Sequence, residues 1–426
     1  AGAAAAARRA RLPPERVERI RELAARPDIY ELLKDSVAPS IWELDDVKKG
    51  VLCQLFGGNV FKVQETRAER HGGGGRRGQG KRGEVNVLLC GDPGTSKSQL
   101  LGYVHKLAPR GVYTSGKGSS AVGLTASVVR DPETKQWVLE SGALVLSDNG
   151  VCCIDEFDKM SDDTRAILHE VMEQQTISVA RAGIICTLNA RTAILASANP
   201  VESRYNPRRS VVDNIRLPPT LLSRFDLIYL ILDKAAPEAD RRLARHLVGL
   251  YYKDPPRRAG ADALVDRQLL RDYIAYARAA VQPQLTDAAV AELRKGYLAM
   301  RAAGRGAAGQ KVIAATPRQL ESLVRLSEAL ARLRLQETVG VHEVREAIRL
   351  VRVATQAAAT DPRTGAIDMD MIATGRSSAD RDLLDEVAGA LKELFRGGGG
   401  GGGGTGPVAQ TPGGRPAQIL SARGLP

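Results

Sequence analysis

The chain has 426 residues, 43% of them apolar and 4% aromatic, with a formal charge of +12. That length accommodates two or three domains with sizeable cores, and so few aromatic residues argue against a surface built of stacking platforms for unpaired bases. The positive balance favours a polyanionic partner only modestly, because acids are abundant too.

The sequence begins at Ala1 and not at Met, as expected of a fragment, a processed chain or an incomplete gene model. Its opening, AGAAAAARRARLPP, lacks the apolar core and cleavage site of a signal peptide and reads as a disordered or helical end over 1–26. A helical preface and linker follow over 27–83. PDIYELLKDSVAPSIWELDDVKKGVLCQLFGG predicts two short helices broken at Pro39, and HGGGGRRGQGKRG predicts a solvated basic linker.

From 84 to 236 apolar strand-like runs alternate with helical patterns. EVNVLLC, GVCCIDE, RTAILASAN and DLIYLILD predict buried strands. KSQLLGYVHKL and SDDTRAILHEVMEQQ predict helices, the second capped by Ser161 with acids in its first turn. Such alternation predicts an α/β fold with a parallel, doubly wound sheet. Two β-hairpins interrupt it: VGLTASVVRDPETKQWVLESGALV, turning at Asp131–Glu133, and TISVARAGIICTLNA, turning at ARAG.

The pattern over 237–359 is helical and predicts a separate lid, in which TPRQLESLV starts a helix with Thr316 as cap and Pro317 in the first position. Residues 360–396 read as a linker with a partial helix in RDLLDEVAGALKELF. Residues 397–426 open on eight glycines and read as a tail that buries too little surface to fold. No apolar run approaches the ~20 residues of a membrane span. Cys53, Cys90, Cys152, Cys153 and Cys186 include no C-x-x-C pair, so reduced structural thiols in a reducing compartment are expected, not disulfides or a metal site.

The chemistry concentrates in 84–236. GDPGTSKS follows a predicted strand and opens a predicted helix, the setting in which backbone N–H groups and a helix N-terminus face phosphates. The pattern G-x-x-x-x-G-K-[ST] is met at Gly91, Lys97 and Ser98 and broken at Ser96, which stands where the last glycine belongs. Gly91 and Gly94 let the backbone turn and approach closely. The Cβ of Ser96 argues against any conformation that only glycine holds.

Gly91, Asp92, Pro93, Gly94, Thr95, Ser96, Lys97, Ser98 and Gln99 form the expected nucleotide cradle. Lys97 would reach the β- and γ-phosphates, and Ser98 would hold Mg2+. In VCCIDEFDKM, Asp155 can hold Mg2+ through water and Glu156 can polarise the attacking water. Asn199, ending ILASAN, can hydrogen-bond that water or the γ-phosphate. Arg224 is either a finger on a neighbour's nucleotide or the ion-pair partner of Asp226. Arg318 either contacts phosphate or is an ordinary helix-end arginine. Arg181 at one hairpin tip, and Arg130 and Lys135 flanking the other turn, suit contacts to a phosphate backbone or are solvated charge.

Taken in order, GDPGTSKSQLL, YTSGKGSSAVGLTA, IDEFDKM, SANP, LLSRFDL and TPRQLESLVRLSEA resemble the ATPase core of the minichromosome maintenance family, a branch of the AAA+ ATPases. The resemblance runs from about Pro27 to about Leu350, with APSIWELDDVKKGVLCQLFGG similar to the family's preface. That family's own phosphate loop carries Ser in place of the last Gly.

The resemblance implies an AAA+ P-loop sheet with β-hairpin inserts and a helical lid, in a nuclear, ring-forming replicative DNA helicase. It implies ATP and Mg2+ as cofactors. The implied partners are other subunits of a hetero-hexamer and single- and double-stranded DNA. By the same resemblance Lys97, Ser98, Asp155, Glu156 and Asn199 serve the subunit's own ATP, whereas Arg224 (the finger) and Arg318 (sensor 2) act on an adjacent subunit's ATP.

The segments near 122–145 and 177–190 are similar to the family's helix-2 insert and pre-sensor-1 hairpins, the second gripping DNA at its tip. The family usually carries Lys there; Arg181 keeps the charge with a different donor geometry. Neither the family's amino-terminal domain, with its zinc ribbon and oligonucleotide-binding fold, nor its winged helix is recognisable in these residues. A nucleotide-bound scaffold and a protein remodeller are the competing functions, and the complete set of Lys97, Asp155 and Glu156 argues against the scaffold.

Overall fold

In chain order the strands of the α/β core are β1 (Val87–Gly91), β2 (Gly111–Ser115), β3 (Ala126–Arg130), β4 (Trp137–Ser141), β5 (Val151–Asp155), β6 (Thr176–Arg181), β7 (Ile184–Asn189), β8 (Ala193–Ala198) and β9 (Leu227–Ile231). The longer helices are α1 (Pro14–Ala24), α2 (Ile29–Ser36), α3 (Asp45–Phe56), α4 (Lys97–Leu107), α5 (Asp162–Gln174), α6 (Pro237–Gly249), α7 (Arg267–Ala280), α8 (Asp287–Ala303), α9 (Pro317–Leu333) and α10 (Val341–Ala359). The structure is a computed structural model and describes residues 12–59, 82–131, 133, 135–181, 184–201, 205–206, 214–233, 236–249, 264–303, 316–359 and 387. The chain divides after Ser378 into two units, and all of these strands and helices belong to the first. The Gly/Pro tail, the basic linker up to residue 81 and the partial helix expected over 381–395, Val387 apart, lie outside the described residues.

Five strands form one parallel sheet in the order β2-β5-β8-β1-β9. Along each inner strand successive side chains serve opposite faces. Leu88, Cys90, Cys152, Ile154, Ala196 and Ile228 join Leu168, Val171 and Met172 of α5 in one buried cluster. Val87, Leu89, Val151, Cys153, Leu195 and Leu227 join residues of α3, α4, α7, α9 and α10 in the other. Burial on both faces is why these strands read as unbroken apolar runs. The strand β2, GVYTS, escaped the sequence reading because it is half-exposed at the sheet edge and lacks such a run.

Both expected hairpins form as antiparallel pairs, β3 with β4 and β6 with β7. Ser161 caps α5, its Oγ accepting from the Thr164 N–H at 3.4 Å. Thr316 stands at the N-cap of α9 with Pro317 in the first turn, but its hydroxyl makes no capping bond. Besides its helices the lid carries a two-residue parallel pair, Gln284–Leu285 with Thr338–Val339.

Two buried polar networks fasten lid and preface to the core. Asp226 Oδ1 accepts from Arg325 Nη2 (2.5 Å), Ser322 Oγ (2.5 Å) and Arg82 Nη2 (3.3 Å), and Oδ2 accepts from the Asn86 N–H (2.8 Å). Burial pushes the Asp226 carboxyl up, but Arg325, Arg82 and these donors outweigh it and hold it below the usual range. Asp226 is therefore not the partner of Arg224, which overturns that alternative. In the second network Arg332 Nη1 donates to the carbonyls of Phe56 (2.9 Å), Gly57 (2.6 Å) and Gly58 (3.1 Å), closing the C-terminus of α3.

Candidate active site

Strand β1 runs directly into the glycine-containing loop, and α4 leaves it at Lys97. Gly91 has φ +147°, and a Cβ there would lie 1.8 Å from the carbonyl oxygen of Ile231 on β9. Gly94 has φ +83° with open space around it, so backbone conformation alone selects glycine there. Ser96 has φ +60° and ψ +18°, in the left-handed region that glycine favours. A serine adopts this conformation at a strain of roughly 1–2 kcal/mol for an L-residue, and the region is not one that only glycine can hold.

The ammonium of Lys97 is buried within the loop. Its Nζ donates to the carbonyls of Gly91 (2.9 Å) and Asp92 (2.6 Å) and to Thr95 Oγ1 (3.1 Å). Burial pulls its pKa below the usual lysine value, against the opposing pull of Cys90, Asp92 and Asp155. Asp92 anchors the loop to its surroundings, Oδ1 accepting from the Tyr205 N–H (2.7 Å) and Oδ2 from the Asp233 N–H (3.2 Å).

Because β8 lies between β5 and β1, the ends of these strands bring Asp155, Asn199 and the loop to one carboxyl edge of the sheet. Asp155 Oδ2 accepts from Tyr113 Oη at 2.8 Å, and Oδ1 accepts from Ser197 Oγ and from the Glu156 N–H at 3.0 Å. Burial pushes the Asp155 carboxyl up, but the hydroxyls of Ser197, Ser98 and Tyr113 outweigh it and keep the group anionic at neutral pH. Glu156, at φ +52°, accepts from Lys159 Nζ at 2.9 Å. The Asn199 N–H donates to Asp158 Oδ1 at 3.1 Å.

Among the described residues no cluster of three or more His, Cys, Asp or Glu could hold a metal by itself. Ser98 and Asp155, one hydroxyl and one carboxylate, are hard oxygen donors that fit Mg2+ where phosphates and water complete its shell. All five cysteines are free thiols, and Cys53, Cys90, Cys152 and Cys153 are buried.

The two arginines left open by the sequence gather elsewhere. Arg224 Nη2 donates to Glu173 Oε2 and Nη1 to the Thr220 carbonyl at 2.7 Å, while Arg318 Nη2 donates to Glu173 Oε1 at 3.0 Å. On the first hairpin Arg130 Nε donates to the Lys135 carbonyl at 2.9 Å, bracing the turn, and Lys135 itself has φ +56°. Arg181 ends β6 opposite Ile184, and its side chain lies outside the described residues.

Sequence reasoning missed Tyr113, Ser197 and Glu173. Tyr113 and Ser197 open the quoted stretches YTSGKGSSAVGLTA and SANP but were given no role there, and Glu173 stands among several charges of an amphipathic helix with no local signal.

Family comparisons agree with this arrangement of loop, sheet and lid. The model of the MCM P-loop domain matches residues 16–251, and that of the MCM AAA-lid domain matches residues 268–355. The chain is 60% identical over 381 residues to the DNA replication licensing factor MCM4 of Oryza sativa subsp. japonica, covering 89% of this chain and 43% of that protein. It is 58% identical over 384 residues to the MCM4 of Arabidopsis thaliana, covering 90% of this chain and 44% of that protein. Against the licensing factor mcm5-A of Xenopus laevis it is 42% identical over 388 residues, covering 90% of this chain and 50% of that protein. The chain thus spans less than half the length of these MCM4 relatives. No described helix is long and apolar enough to cross a membrane.

Proposed function

The chain belongs to the minichromosome maintenance family, and from that premise we propose that it is a subunit of a ring-shaped, hetero-hexameric DNA helicase of replication that hydrolyses ATP between subunits. The observation that carries this reading is the sorting of the candidate residues into two sets. Lys97, Asp155, Glu156 and Asn199 converge at one sheet edge, whereas Arg224 and Arg318 meet at Glu173.

In this reading the loop N–H groups and the N-terminus of α4 receive the phosphates. Lys97 exchanges its bonds to the Gly91 and Asp92 carbonyls for β- and γ-phosphate oxygens. Ser98 and Asp155 would hold Mg2+, which would supply charge that neutralises the phosphates. Glu156 orients and polarises the attacking water once it parts from Lys159, and Asn199 fixes that water against the γ-phosphate. Two guanidinium groups from the adjacent subunit meet the charge that develops on the transferring phosphoryl group.

The hairpins carrying Arg130, Lys135 and Arg181 contact the phosphate backbone of single- and double-stranded DNA in the ring channel. The setting of such work is the nucleus. The purified chain alone is expected to turn over ATP slowly or not at all, and its partner subunits to restore turnover. Robust hydrolysis by a demonstrated monomer, undiminished by Arg224→Ala, overturns the proposal.

A further inference from the structure

Arg224 and Arg318 come from different parts of the molecule. Arg224 lies between the short helix Pro219–Leu222 and β9, while Arg318 lies in the first turn of the lid helix α9. One carboxylate holds both, with one oxygen for each guanidinium. Its owner, Glu173, stands in the last turn of α5. Burial pushes the Glu173 carboxyl up, but Arg224 and Arg318 outweigh it and keep it anionic at neutral pH.

Two guanidinium cations held by one carboxylate repel each other, and the anion between them offsets that repulsion. Arg224 is also steered from its other side, by the Thr220 carbonyl, and its buried Nε makes no bond. Its side chain is 17% exposed, against 43% for Arg318 and 48% for Glu173. The trio is therefore a half-buried cationic pair joined by an accessible anion. Each Nη carries two hydrogens, so the bond to Glu173 leaves a second hydrogen on the same nitrogen for an incoming acceptor.

We propose that Glu173 is a positioning residue that sets the finger and the lid arginine as one pair for a neighbour's triphosphate, so that a shift of the lid moves both. This rests on the interfacial reading given above. Glu173 does not touch the nucleotide; it fixes the spacing and orientation of the two groups that do. Misplacement of a positioned group by about 1 Å costs up to ~100-fold in rate, and loosening the arginines without removing them costs less.

The test uses the full chain assembled with its partner subunits, carrying Glu173→Ala, Glu173→Gln or Arg224→Ala. Glu173→Ala is expected to lower kcat for ATP hydrolysis ~10-fold with KM within about two-fold, in line with loss of transition-state positioning and not of uniform binding. Glu173→Gln keeps one acceptor oxygen and falls between wild type and Glu173→Ala. Association of the chain with its neighbour should weaken in the presence of ATP and stay unchanged without nucleotide, a difference that a merely structural role for Glu173 would not produce.

Unchanged kcat for Glu173→Ala, or an equal loss of association with and without ATP, overturns the inference. If Arg224→Ala abolishes turnover while Glu173→Ala is silent, the inference alone fails. If Arg224→Ala is itself silent, the interfacial reading fails with it.

Discussion

Replacing Ser96 by Gly tests the conformation of the phosphate loop directly. Ser96 has φ +60°, and its side chain makes no capping bond to the helix that follows. Relief of the left-handed strain is worth roughly 1–2 kcal/mol. Glycine returns roughly 0.4–1 kcal/mol of that through the greater entropy of the unfolded chain. The net expectation for Ser96→Gly is a gain of about 0.5–1 kcal/mol, a rise of about 2 °C in the thermal midpoint for a unit of this size. Ser96→Ala keeps the Cβ and the strain and removes only the hydroxyl, so its midpoint should match wild type. Ser96→Val should fall below both, because a branched Cβ is least tolerated at positive φ. Thermal unfolding followed by circular dichroism, without nucleotide, ranks the variants. A midpoint for Ser96→Gly at or below that of Ser96→Ala would refute the reasoning.

The buried networks give two further expectations. Asp226→Ala leaves the Arg325 and Arg82 cations facing each other inside the protein, and should cost about 3–5 kcal/mol in urea unfolding. The same carboxyl gives a pH signature: its folded pKa lies below the unfolded value near ~4. Its contribution is therefore complete above that unfolded value and is lost as pH falls through the folded one, so acid unfolding of wild type should be steeper than that of Asp226→Ala. Arg332→Met keeps the stem but deprives the Phe56, Gly57 and Gly58 carbonyls of their donor. Each buried carbonyl left unmet costs roughly 1–3 kcal/mol, and with some rescue by water a total near 3 kcal/mol is expected. Arg332 is pulled down to about 10 by burial and by Arg278, so it stays charged at neutral pH and its loss should be insensitive to pH between 6 and ~8. Amide exchange at the end of α3 should accelerate in this variant.

The parts of this molecule that were legible in the sequence are those in which one residue's neighbours along the chain determine its role. The run VLLC is apolar throughout because both faces of β1 are covered, and Lys97 follows it at the spacing a phosphate loop demands. Asp155 and Glu156 end a strand of the same kind. What stayed hidden depends on partners far away in sequence. Arg224 had an acid two residues on, and proximity suggested a pair; yet Asp226 turns inward to Arg325, 99 residues later, while Arg224 turns to Glu173, 51 residues earlier. Side chains two apart at the entry of a strand need not share a face, and no local pattern says which acid wins. At Ser96 the departure from the glycine pattern was legible but the left-handed turn was not, because a loop tied at Asp92 to Tyr205 and Asp233 holds it.

The pairing that sequence proximity got wrong also explains how two arginines from separate elements come to share a carboxylate. Ser322 and Arg325, which bond Asp226, lie one and two turns after Arg318 on α9, and Ser322 Oγ also bonds the Arg318 carbonyl at 2.9 Å. Asp226 in turn stands two residues after Arg224 and takes the Asn86 N–H just before β1. The buried carboxylate therefore references both arginines to the same strand that feeds the phosphate loop. Had Asp226 paired with Arg224 instead, Arg325 and Ser322 of α9 would lose the buried carboxylate that they share with Arg82. A buried ion pair is a weak source of net stability compared with apolar packing. Here its effect is geometric, since it takes the buried carboxylate for Arg325 and Arg82 and leaves Arg224 and Arg318 to meet at Glu173.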